Sequence, residues 1–298
     1  MENSEIVKVI EESIAKFQGN VPDIQREIYR EVMLLVKDLE IKDGFLKNSV
    51  GNIKKINSLK KKLEKIILSD EYKASGKDFI KTVDAVSKLN NEYFQSLETK
   101  FTPPKVLDAI KVQSVGSAVE SLTEAGINQG VTKPIFEILR TNITTGGSIA
   151  DMQDILTKFI NKSDASVGVL ERYTSQITTD AINQYNAIYN ETVAMDLGWD
   201  WFEYVGSNID TTRTFCIACT KKRYIHRKEF PKVIAGDFAE FKDLKGEIYD
   251  KTGLPQGMIE GTNESNFPTY RGGYNCGHQA YPVPTALVPK TIINQLNK

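Results

Sequence analysis

The sequence predicts a mostly α-helical N-terminal region, residues 1–197, followed by a small α+β module over residues 198–290. Three observations predict it. Apolar residues recur at helical spacing through almost all of the first 197 positions. Beyond Gly198 the chain turns into short aromatic and β-branched runs separated by Gly, Pro and Asn. All three cysteines and one of the two histidines fall in two short runs of that second part, FCIAC at 215–219 and YRGGYNCGHQAYPVP at 270–284. With 298 residues, 40% hydrophobic and 26% charged, the chain is long and apolar enough to bury a core. A net charge of −1 gives no global pull toward nucleic acid or membrane, so such binding would need a local patch. No apolar run approaches the ~18 residues of a spanning helix, so no membrane-spanning segment is expected. The opening MENSEIVKVIEESIAKF is acidic and amphipathic and does not read as a secretory signal.

Ile6, Val9, Ile10, Ile14 and Phe17 mark one face of a first helix, which GNVP at 19–22 ends. Pro22 suits the first turn of a second helix, continued by Ile24, Ile28, Val32, Leu35, Val36 and Leu39. Ile53, Ile56, Leu59, Leu63 and Ile66 outline a third, and Phe79, Val83, Val86, Asn90, Tyr93 and Leu97 a fourth. TPP at 102–104 is the strongest break. Shorter helices follow, interrupted near Gly130, Pro134 and TTGGS at 144–148, with Ser148 capping a helix to about Ile160. The longest helix runs from about Ser166 to Leu197 with Leu170, Tyr173, Ile177, Ala181, Tyr185, Ile188 and Val193 toward a core, and stops at Gly198.

In the module, WDWFEYVGS, RYIH and GEIYD read as strands, and QAYPV as an edge strand because of its proline. A small module with a loop as long as TGLPQGMIEGTNESNFPTYRGG gains from a metal or from docking on a partner.

Lys54, Lys55, Lys60, Lys61, Lys62 and Lys65 surround the apolar stripe of the third helix. The ordinary reading is a solvated face. The sharper one is a ridge facing nucleic-acid phosphates, whose binding would depend steeply on salt. No aromatic residues interleave these lysines as a stacking platform would need.

Cys216 and Cys219 form a CxxC, expected on a tight turn, and Cys276 and His278 a CxH on a glycine-rich turn. Together they make a closed tetrahedral set, which suits a structural zinc that staples the module. His226 is an alternative to His278, or a partner that steadies the ligands. Two other readings stay open: small buried hydrophobes, or a redox pair, although no βαβ setting surrounds the CxxC.

Catalysis is not expected. No P-loop, GxSxG, HExxH or dinucleotide fingerprint occurs, and no small-molecule substrate is implied. Cys276 and His278 alternate along an extended turn and cannot easily form a dyad. Cys216 with His226 would need Asp210 or Asp237 as an orienting acid, nominated only by proximity.

The C-terminal part resembles a known family, the phage head-morphogenesis or minor head proteins related to the F protein of phage Mu. Its members carry an aromatic strand, a D-x-T-R-x-x-C or D-x-R-T-R motif, a loop-rich stretch, then N-C-R-C or N-C-R-H before a proline-containing strand. Here the strand is WDWFEYVGS, the first motif DTTRTFC, the closing motif NCGH, and QAYPVP follows. Asp210, Thr212, Arg213, Cys216, Asn275, Cys276 and His278 match position by position. Gly277 departs from the family's arginine, and TKKRYIH lacks the glycine expected after the first motif. The resemblance covers about residues 198–284, and the region before it matches only in being helical.

The resemblance implies a low-copy virion component, made in the host bacterial cytoplasm and placed inside the capsid near the portal, acting in head assembly or DNA delivery. Its partners would be the portal, other capsid proteins and packaged DNA. It also implies that Asp210 and Arg213 form a buried ion pair fixing the turn into the CxxC. Two alternatives are a phage-associated enzyme or toxin with a delivery module, and a zinc-stapled regulator that binds nucleic acid through the lysine ridge.

Overall fold

The apolar stripes read from the sequence become buried helix faces in the computed structural model, which describes residues 3–161, 167–244 and 248–296. Helix α1 (Asn3–Gln18) buries Ile6, Ile10 and Phe17, and α2 (Val21–Asp38) starts with Pro22 in its first turn. Ser49 caps α3 (Val50–Ile67) by accepting the Asn52 N–H at 3.1 Å. Helix α4 (Asp70–Leu97) ends before TPP, and α5 (Val106–Leu122) begins after it.

A short hairpin escaped the sequence reading: β1 (Ile41–Lys42) pairs antiparallel with β2 (Phe45–Leu46). Asp43 and Gly44 connect them with φ of 52° and 83°, the two positive angles of the tight turn that suits strand twist. The fully buried Asn52 ties this hairpin to α3, accepting from Glu40 N at 2.8 Å and donating to the carbonyls of Glu40 and Lys47.

The expected interruption at Gly130 and Pro134 is a single π turn rather than a loop. Helix α6 (Glu124–Ile127) passes through Asn128–Thr132 into α7 (Lys133–Thr145). Pro134 lies in the first turn of α7, where its missing N–H costs little. A Cβ on Gly130 would come within 2.2 Å of the Tyr173 ring, so glycine permits the close approach there. Ser148 caps α8 (Ile149–Ile160) as expected. Helix α9 spans Val169–Leu197 and ends at Gly198 with φ +65°. Its expected start near Ser166 falls outside the described residues.

The chain forms two compact units. One comprises Ile14–Ile80 and Gly116–Thr178. In it α2, α3, α7 and α8 close a ring of four helices, each packed on two others, around Val32, Leu59, Leu63, Leu139, Ile143, Met152 and Leu156. The buried Gln25 side chain accepts the first N–H groups of α9, from Leu170 and Glu171, both at 3.1 Å.

The other unit comprises residues 3–13, 81–115 and 179–296 as described. It holds an antiparallel sheet in the order β4-β3-β5, with β3 (Trp201–Val205) central, β4 (Tyr224–His226) on one side and β5 (Gln279–Val283) on the other. The expected edge position of QAYPV is therefore met, and Pro282 sits where a missing N–H is tolerated. Residues 248–250 of GEIYD do not join the sheet. Gly246 and Glu247 lie outside the described residues, and Tyr249 makes one isolated bridge to Pro255.

Helix α10 (Thr214–Lys222) packs on β3. Short helices α11 (Phe230–Ile234), α12 (Ala239–Lys242) and α13 (Phe267–Tyr270) supply Phe230, Phe241 and Phe267 to a core shared with Phe202 and Phe215. The last described element is α14 (Lys290–Leu296).

Behind the sheet, Asn186 of α9 donates to Gln279 at 2.9 Å and accepts from Asn90 of α4 at 2.7 Å, and Asn190 donates to Asn90 at 3.3 Å. The Tyr93 hydroxyl donates to the Pro282 carbonyl at 3.0 Å. These bonds hold β5 against α4 and α9, so the ends of both helices belong to the sheet's unit. Among the described residues no helix is long and apolar enough to cross a membrane.

Candidate metal centre

The first half of the centre comes from α10. Arg213 enters in extended conformation, with ψ 144°, and the chain is helical from Thr214 onward. The CxxC therefore stands on a helix, not on the tight turn expected of it. Cys216 and Cys219 are both buried in the core beside Phe215 and Ala218.

The second half comes from the turn after α13. Left-handed backbone at Gly273 (φ 81°) and Asn275 (φ 57°) folds this segment back toward α10. A Cβ on Gly273 would meet the Gly257 carbonyl at 1.8 Å, so the two strands of loop approach as only glycine allows. Arg213 clamps the turn, donating from Nη1 to Gly272 O at 2.7 Å and from Nη2 to Tyr274 O at 2.6 Å.

The resulting cluster holds three donors. The Cys216 and Cys276 sulfurs lie 3.7 Å apart, and Cys276 Sγ is 4.0 Å from His278 Nδ1. All three donor atoms fall within 4.8 Å of one another, and all three residues are buried. A tetrahedral zinc with sulfurs at ~2.3 Å would set them about 3.8 Å apart, and sulfur from nitrogen about 3.6 Å. The sulfur pair fits, and the imidazole nitrogen stands a few tenths of an ångström too far from Cys276 Sγ. Gly272 makes room for the pair: a Cβ there would lie 2.3 Å from one sulfur and 2.5 Å from the other.

His278 is also oriented. Its Nε2 lies 3.3 Å from Asn208 Oδ1, and the amide nitrogen of Asn208 donates to Thr220 Oγ1 at 3.2 Å. With the Asn208 oxygen accepting from Nε2–H, the Nδ1 lone pair faces the sulfurs, which is how ligating histidines are set. The ring stacks on Tyr204 at 5.9 Å between centroids, and the Tyr204 hydroxyl donates to Cys216 Sγ at 3.6 Å.

Hydrogen bonding to Cys276, then burial, raises the Cys216 pKa, while accepting that bond lowers the pKa of Cys276. Burial raises the pKa of Cys219 and of the Tyr204 phenol.

The remaining expected site residues fall elsewhere. Cys219 lies outside the three-donor cluster. His226 neither replaces His278 nor touches the cluster. Its Nδ1 accepts the Lys228 N–H at 3.0 Å, capping a turn, and its ring packs edge-on against Trp201. The expected Asp210–Arg213 pair is not formed: Asp210 is exposed, and Arg213 spends its guanidinium on the two carbonyls. Thr212 Oγ1 accepts from Ile209 N at 2.7 Å and shapes the turn before α10. Asn275 donates its N–H to Asp180 Oδ1 at 2.7 Å.

On α3, Lys55 pairs with Asp38 at 3.2 Å, Lys60 with Glu64 at 3.9 Å, and Lys62 with Glu31. Lys54, Lys61 and Lys65 are exposed. Half of the lysine ridge is thus engaged by carboxylates.

Sequence reasoning missed Tyr204, Asn208, Gly272 and Arg271. The RGG directly before NCGH was the available signal, since adjacent glycines beside a ligand motif mark close backbone approach. Compared with protein-family models, curated proteins and solved structures, the chain matches none.

Proposed function

We propose that this chain is a non-catalytic minor head protein of a tailed phage, a low-copy component inside the capsid near the portal. There it would serve head assembly or DNA delivery. Its C-terminal module would be held shut by a zinc ion bound by Cys216, Cys276 and His278.

One observation carries the proposal. The two motifs behind the resemblance, DTTRTFC and NCGH, meet each other. Arg213 of the first clamps the backbone leading into the second, and Cys216 touches Cys276 across a separation of 60 residues. The three donors are only 2%, 7% and 6% exposed, which suits a staple better than a site that must admit substrate. Two thiolates and an imidazole are a donor set that zinc prefers. Bound there, zinc supplies a cross-link between α10 and the closing turn, so that loop order and metal binding become one equilibrium.

The test is quantitative mass spectrometry of purified particles from the strain that encodes the chain, with copies counted against the portal protein. From a few to a few tens of copies per full particle are expected. Absence from both full and empty particles would overturn the proposal.

A further inference from the structure

A tetrahedral ion at Cys216, Cys276 and His278 has a fourth position to fill. Arg271 indicates the charge of the group that fills it. Its side chain is 2% exposed, and it donates to the carbonyls of His278 at 2.5 Å, Pro268 at 2.6 Å and Thr269 at 3.3 Å. No carboxylate pairs with it among the described residues. Carbonyl dipoles solvate a guanidinium but do not neutralise it, and a buried charge left unbalanced is costly. Zinc with two thiolates, an imidazole and a water would be neutral, and would leave Arg271 unbalanced. One further anionic ligand gives the complex a single negative charge, which Arg271 cancels.

Two anionic candidates lie near. Cys219 is buried one helical turn beyond Cys216, but its sulfur lies outside the group of mutually close donors. The Tyr204 oxygen is already 3.6 Å from Cys216 Sγ, close to the spacing of neighbouring ligands round zinc, and its ring stacks near-parallel to that of His278 with centroids 5.9 Å apart.

We propose that Tyr204 is the fourth ligand, bound as phenolate, and that Arg271 is the fixed counter-charge of the complex; this rests on the metal reading above. As the ion enters, two thiol protons and the phenolic proton pass to solvent, and no electron is transferred.

X-ray absorption at the zinc edge of the zinc-loaded full chain tests this directly. Two sulfur and two nitrogen or oxygen neighbours are expected. Tyr204→Phe should keep two sulfurs and lose at least about tenfold in zinc affinity, the scale seen when a site partner is removed. Cys219→Ser should change neither. Should Tyr204→Phe fail to fold, zinc titration of the wild-type chain should still show the ultraviolet difference band of a tyrosinate. Three sulfurs in the wild type, falling to two in Cys219→Ser, would overturn the proposal in favour of Cys219. So would unchanged affinity in Tyr204→Phe, or two sulfurs without the tyrosinate band, which would assign water. A wild-type chain that binds no zinc would overturn the metal reading itself, and the Tyr204 assignment with it.

Discussion

The sulfurs of Cys216 and Cys276 stand 3.7 Å apart although 60 residues of chain separate them. That contact exists because glycines allow it. A Cβ on Gly272 would intrude on both sulfurs, and one on Gly206 would come within 2.5 Å of the His278 ring. The packing of the motifs, more than their regular secondary structure, brings the donors together.

Gly272→Ala should therefore move both sulfurs. We expect a destabilisation of about 1–3 kcal/mol, the range for inserting a methyl into a packed site, together with weakened zinc binding. Gly277→Ala is the control, because nothing lies within 4 Å of its added Cβ. Urea denaturation and competition with a chelator would measure both, and equal behaviour of the two variants would contradict the packing described.

Arg227 should matter for stability out of proportion to its surface position. It bonds Glu191 at 2.6 Å and Asp200 at 3.1 Å, and lies over the rings of Phe202 and Phe230. Burial raises the Glu191 pKa even with this partner present. Arg227→Ala leaves that carboxylate buried without compensation, a loss of about 3–5 kcal/mol near neutral pH. The deficit should shrink as pH falls, because a protonated Glu191 no longer needs the cation. A deficit independent of pH would count against this account.

His226 should contribute to acid sensitivity. Burial lowers its pKa from the usual 6.5, so the folded state favours the neutral ring, whose Nδ1 accepts the Lys228 N–H. Above about 6.5 both folded and unfolded forms are neutral and the cap is intact. As pH drops below that value the unfolded chain takes up the proton first, and stability falls until the folded ring also protonates. His226→Asn keeps a capping acceptor without the titration. Its stability should decline less than that of the wild type as pH drops below 6.5, and parallel curves would refute the assignment.

Asn186 should be intolerant of apolar replacement. It joins Asn90, Gln279 and Tyr281 in a buried network. Asn186→Leu strands the amides of Asn90 and Gln279, at about 1–3 kcal/mol for an orphaned buried polar group. Thermal denaturation would register the loss, and an unchanged midpoint would show that the network is not needed to hold β5.

The helical half was largely legible because its code is local. Apolar residues at helical spacing, Ser148 as a cap and Gly198 as a stop sit where the structure uses them. The hairpin at Asp43–Gly44 was missed, since two-residue strands are too short to show alternation. In the module the donor residue types were legible but not their geometry. A CxxC reads alike on a turn or a helix, and only the fold shows Cys219 outside the cluster. Arg213 looked like a partner for Asp210 because charge pairing is the obvious use of nearby opposite charges. Carbonyls 59 and 61 residues away took it instead, and no pattern in the sequence announces a backbone acceptor.

Metal analysis of the full chain, purified from zinc-replete cells without chelator, tests the central claim most directly. About one zinc per chain is expected, lost in Cys276→Ser together with the stability of the sheet-bearing unit. A chain that carries no metal, and whose unfolding midpoint shifts neither with added zinc nor with chelator, would contradict that claim.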